Sequence, residues 1–94
     1  MIRVIIERHV AQTLESAYEE QSRNLLRRAV DAPGFISGET LVDLADSNHR
    51  LTLCNWRSGA DWDRWYHSPD RHALMDNLIP MLDRDESITV LAQC

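Results

Sequence analysis

Residues 33–58 read PGFISGETLVDLADSNHRLTLCNWRS, and this stretch decides the fold. Pro33-Gly34 stops any helix before it, because Pro cannot extend a helix and Gly accepts the reversed backbone. Phe35 to Leu44 and Arg50 to Arg57 carry strand-forming residues, with Gly38 marking a bulge in the first. Asp46-Ser-Asn48 between them is turn chemistry. Residues 35–57 are therefore a predicted hairpin. Ser58-Gly-Ala-Asp61 then opens a helix through a capping box in which Asp replaces Glu.

Working outward, the upstream segment reads as a helix starting at a Thr13 N-cap, with Glu15 in its first turn. Leu14, Tyr18, Leu25, Leu26, Ala29 and Val30 recur at helical spacing up to Asp31. Before it, residues 2–10 are a strand with Ile2, Val4, Ile6 and Arg8 on one face and Arg3, Ile5, Glu7 and His9 on the other. Downstream, Trp62, Trp65 and Tyr66 follow at helical spacing. Ser68-Pro69 is a second start signal, which breaks the helical region near His67. Leu74, Leu78 and Met81/Leu82 line its inner side, and Pro80 implies a kink or a fresh turn. Ser87 to Gln93 is the last strand. The order β-α-β-β-α-β is that of a ferredoxin-like α+β sandwich, a four-stranded antiparallel sheet with helices on one face. Residues 1–94 are expected to form one domain.

The sheet pattern predicts Ile2, Val4, Ile6, Leu51 and Leu53 beneath the helices. Ile5, Glu7, His9, Thr52, Cys54 and Trp56 then share the opposite face, an apolar wall with spaced polar groups, as in ligand cavities. A 94-residue chain buries a modest core of its own. Laying a second copy on that face would make a dimeric α/β barrel and enclose a pocket between sheet and helices.

Composition narrows the function. The net charge is −5, all ten basic residues are Arg, and none cluster, which argues against nucleic acid or a membrane as partner. Cys54 and Cys94 form neither a disulfide framework nor a zinc pattern, so a cytoplasmic chain with reduced thiols is expected. The apolar run at the N-terminus is too short and too charged for a signal peptide. There is no Gly-rich phosphate loop. His67 and His72 point well apart on a helix and make a poor metal pair. No cofactor and no metal are expected.

Four anchors carry a family resemblance: the opening strand Ile2-Arg-Val-Ile-Ile-Glu-Arg, Ala32-Pro-Gly-Phe35, Trp56-Arg-Ser58, and Trp65-Tyr-His-Ser-Pro69. In this order the chain resembles the antibiotic biosynthesis monooxygenase family of dimeric α/β barrels. The resemblance implies oxygenation of an anthrone- or quinol-like aromatic without metal or flavin, the deprotonated substrate itself reducing dioxygen. Trp56 matches the Trp of the anthrone-type members, while Thr52 stands at their Asn and Trp62 at their Tyr. A haem-degrading branch implies an Asn, a Trp and an iron-binding His. Here Glu7, Trp65 and Met75 stand at those positions, with His72 nearly a turn away.

The expected catalytic set is Glu7, His9, Thr52 and Trp56, with Glu7 or His9 as proton acceptor and Thr52 holding a substrate oxygen. Ile5, Cys54, Trp62, Trp65 and His72 are expected to contact the substrate. Each also has a plainer reading. Glu7 would pair with Arg3 or Arg50, His9 would be solvated, Cys54 and the helix Trp residues would pack, and Asp83 to Glu86 would be a solvated loop. Two functions follow: a cofactor-independent monooxygenase for a small aromatic, or a non-catalytic ligand-binding or stress-associated dimer.

Overall fold

The computed structural model describes residues 1–93, so Cys94 lies outside the described residues. Strand β1 (Ile2–His9) leads to helix α1 (Glu15–Ala29), then to the hairpin of β2 (Phe35–Asp43) and β3 (Asp46–Trp56). Helices α2 (Gly59–Tyr66) and α3 (Pro69–Leu78) follow, then a 3-10 turn at Ile79–Met81 and β4 (Ser87–Ala92). The sheet order is β2-β3-β1-β4, all antiparallel, so the expected ferredoxin-like α+β architecture stands. No described helix is long and apolar enough to cross a membrane.

Local chemistry places most boundaries. The Ser58 hydroxyl accepts from the Asp61 N–H at the start of α2, and the Ser68 hydroxyl accepts from the Arg71 N–H at the start of α3. Pro69 occupies the first turn of α3, and Pro80 forms part of the 3-10 turn, as its missing N–H requires. Three local expectations are corrected. Thr13 has φ 74° and makes no cap, so α1 begins after Leu14 without a side-chain cap. The hairpin reverses at Leu44-Ala45, because Asp46 already pairs with Asp43. The irregularities of β2 lie between Phe35 and Ser37 and between Val42 and Asp43, not at Gly38. Gly38 answers a different need: a Cβ there would stand 2.8 Å from the Leu26 side chain.

The main correction concerns β3. Ile2 pairs with Trp56, Val4 with Cys54 and Ile6 with Thr52, and residues directly opposed across an antiparallel pair share a face. Thr52, Cys54 and Trp56 are therefore buried beneath the helices, and Leu51 and Leu53 lie on the outer face. The phase of β1 is as expected. Trp56, 1% exposed, is the centre of the core. Phe35 meets it edge-on at 5.3 Å, Trp62 at 5.8 Å, and Trp65 stacks at 6.3 Å between centroids. Truncating such a residue costs about 3–5 kcal/mol. From α1, Tyr18, Leu25 and Ala29 close the layer, and from α3, Met75 and Leu78.

Gly34 has φ +86°, and a Cβ there would meet the Asp61 carboxylate at 2.4 Å. Gly34→Ala combines a left-handed non-glycine residue with that clash. Urea unfolding should show a loss of at least about 1–3 kcal/mol. An unchanged midpoint would mean that this turn is not held as described.

Candidate functional site

Between the sheet and the helices lies a small cavity walled by Thr52, Cys54 and Trp56 of β3 and by Trp62 and Trp65 of α2. Ile6 and Arg8 of β1 and Arg71 of α3 complete the side relevant to chemistry. Its volume is about 30 Å³, room for a water or two rather than an aromatic ring.

Two cations reach this wall from within the fold. Arg8 follows the inward phase of β1 and is 1% exposed. Its guanidinium donates to Glu86 at 2.9 Å and to the Tyr18 hydroxyl at 3.2 Å. Arg71, also buried, donates to the other Glu86 oxygen at 2.9 Å and lies 4.8 Å from the Tyr66 ring centroid. Burial pushes the Glu86 carboxyl up, but Arg8 and Arg71 outweigh it and hold it below the usual range. One carboxylate thus bridges two buried guanidiniums, leaving a surplus of one positive charge beside the cavity. Residues 83–86 are therefore not simply a solvated loop: Asp83, Arg84 and Asp85 are exposed, while Glu86 turns inward. Sequence reasoning missed all three of these residues. The available signal was Arg8 on the inward phase of a buried strand, which demands a buried counter-ion.

The Cys54 thiol is pushed up by burial and accepts a hydrogen bond from the Trp56 indole N–H at 3.3 Å. It stays protonated and is no nucleophile.

The expected site residues divide between two faces. Thr52, Cys54, Trp56, Trp62 and Trp65 come together at the helix-side cavity. Ile5, Glu7 and His9 do not, because their odd phase on β1 turns them to the outer face. His72 is exposed on α3 and lines no part of the cavity. Met75, at the position of a haem-binding His, is buried with its Sδ 3.9 Å from the Arg8 guanidinium. No imidazole lines the cavity, so its residues do not fit a haem.

On the outer face, Glu7 finds neither Arg3 nor Arg50 but His49, which joins its carboxylate at 2.5 Å and Asp43 at 2.9 Å. Arg3 instead donates to Asn55, and Arg50 to Glu19. The hydrogen bonds to Asp43 and Glu7 hold the His49 imidazole above its ordinary value, and the same contacts hold both carboxyls below theirs. His9 stacks on His49 with centroids 4.8 Å apart. Beside this cluster, Ile5, Leu51 and Leu53 form a half-buried apolar stripe, flanked by Leu41 and Leu91 at 43% and 44% exposure.

Comparison with known proteins adds to this geometry. Among solved structures, an antibiotic biosynthesis monooxygenase superposes with a TM-score of 0.91 at 16% identity, covering 100% of this chain and 99% of that one. A conserved protein from Methanosarcina mazei Go1 gives 0.92 at 17% identity, covering 99% and 92%. A variant of SnoaB, a cofactor-independent oxygenase from Streptomyces nogalater, gives 0.89 at 12% identity, covering 98% and 91%. At these identities the likeness is one of fold. A search of curated proteins finds no match. The family model for antibiotic biosynthesis monooxygenases matches residues 1–77, most of the chain, and the protein belongs to that family.

Proposed function

We propose that the protein is a cytoplasmic homodimer that oxygenates a small, electron-rich aromatic or quinol in the helix-side cavity, without an external cofactor. The observation that carries this reading is the Arg8–Glu86–Arg71 cluster, a buried surplus of positive charge against an apolar, aromatic wall. Such a field favours the ionised form of a phenol or enol. No carboxylate or imidazole lines the cavity, so the proton leaves to water while the arginines hold the developing oxyanion. The electron-rich anion then reduces dioxygen. For an anthrone-type methylene the balance is CH₂ + O₂ → C=O + H₂O. In this reading the Thr52 hydroxyl holds a substrate oxygen, and Trp56, Trp62 and Trp65, which line the same cavity, flank the ring. Entry of a ring requires these side chains to move apart, since ordinary ligand pockets are about 300–1,000 Å³.

The small volume of the cavity also supports a second reading. A non-catalytic ligand-binding dimer of the same fold needs no acid–base pair, and the cavity wall carries none.

Arg71→Met should discriminate. Loss of one charged donor from an oxyanion site lowers kcat by about 10²–10³. Oxygen uptake with an anthrone or quinol should fall to that extent, while Arg23→Glu on the exposed side of α1 leaves it unchanged. Uptake that survives Arg71→Met would sink the oxyanion role. No uptake above background with the native chain would favour the ligand-binding dimer.

The dimer is supported by the outer stripe of Ile5, Leu51 and Leu53, which a lone chain leaves half-exposed. Light scattering should give about twice the 10.9 kDa chain mass. Ile5→Glu should shift the mass toward one chain at micromolar concentration, and Arg23→Glu should not. A native protein that scatters as a single chain would disprove the pairing.

A further inference from the structure

We propose that Glu7, His9 and His49 bind a divalent transition-metal ion, with zinc the best fit, on the outer face of the sheet. Two imidazoles and one carboxylate each present a ligand atom there, and these atoms lie within 4.8 Å of one another. Zinc takes such a His₂–carboxylate set at about 2.0–2.2 Å per bond and leaves a fourth position open. Ligand atoms at those bond lengths stand roughly 3.3–3.5 Å apart, so the widest separation must close by about an ångström while Glu7 and His49, now at 2.5 Å, must part by about as much. Glu7 and His9 are only half-buried, and short side-chain rotations suffice.

Paired strands place these groups. His9 and His49 are directly paired across β1 and β3, and Glu7 sits one step along on the same face. The orientation of His49 also suits a ligand. Its Nδ1 is tied to Asp43 at 2.9 Å, which turns Nε2 toward Glu7. A carboxylate on the far nitrogen is the usual support of a metal-binding imidazole, fixing its tautomer and raising its basicity.

The ion would take the position between Nε2 of His49 and Glu7. The groups facing this point are Glu7 and His9 of β1, Asp43 of β2, and Arg84 before β4.

The test is calorimetric titration of chelator-stripped chain with ZnCl₂, in a Cys94→Ser background that removes a competing thiol. One ion per chain is expected. CoCl₂ should give the visible d–d bands of a four-coordinate site. His49→Ala should abolish binding, His9→Ala and Glu7→Gln should each weaken it at least tenfold, and Asp43→Asn should weaken it by about 10–100-fold. Circular dichroism checks that each variant is folded. Should His49→Ala unfold, His9→Ala decides, because its ring contributes a stack and, among the described residues, no hydrogen bond. No binding at millimolar ZnCl₂ overturns the site. So does unaltered affinity in folded His9→Ala, which would place the ion on other donors.

Discussion

The register between β1 and β3 governs this molecule. Side chains opposed across an antiparallel pair share a face, so the pairing of Ile2 with Trp56 commits every even position of both strands to the helix layer. Trp56 then becomes the hub on which Phe35, Trp62 and Trp65 pack. Thr52 and Cys54 enter the core as small residues, and the space they leave is the cavity. A one-residue slip would bury Leu51 and Leu53 and expel Trp56. It would also strand the Trp62–Trp65 face of α2 without a partner. The register is held because both sides of the interface require it.

The same phase carries a charge inward. Arg8 is an even residue on β1, so burying Val4 and Ile6 buries it too. An unpaired guanidinium at 1% exposure would cost several kcal/mol. Glu86 answers it from the loop before β4, and Arg71 answers Glu86 from α3. This ties three separate segments together at one point. It also explains why the short loop after Met81 folds back, its Asp83 N–H donating to the His9 carbonyl at 2.9 Å. A simple pair would be neutral, whereas this cluster is cationic on the side facing the cavity.

Element order and most boundaries were legible because they depend on local chemistry. Pro33-Gly34, Ser58 with Asp61, and Ser68-Pro69 act on backbone groups within a few residues. The phase of β3 was not legible, because Leu51 and Leu53 look more apolar than Thr52 and Cys54. Hydrophobic pattern specifies register only where one face is wet. Here both faces carry large apolar residues, so the pattern permitted either phase and the α2 aromatics decided. Glu86 and His49 were hidden for a related reason. Their partners, Arg8 at a separation of 78 and Glu7 at 42, are brought near only by strand pairing. Thr52, Trp56, Trp62 and Trp65 were found as a group, although the wall they form faces the other way.

The corrected phase separates two kinds of chemistry that the sequence pattern had merged. Glu7 and His9 seemed to share a cavity with Trp56, which would give an oxygenase a general base. With the sheet between them, the helix side retains Arg8, Arg71, their partner Glu86, the Cys54 thiol and the indoles, and the outer face retains Glu7, His9 and His49. A cationic cavity without a base suits a ligand acidic enough to ionise unaided, because arginine lowers the ligand's pKa but cannot accept its proton. The outer face follows the opposite logic: His49 is held between two carboxylates, an arrangement that attracts a cation, whether a proton or a metal ion. The strand register thus decides which groups meet, Arg8 with Glu86 and Arg71 beneath the helices and His49 with its two carboxylates on the outer face.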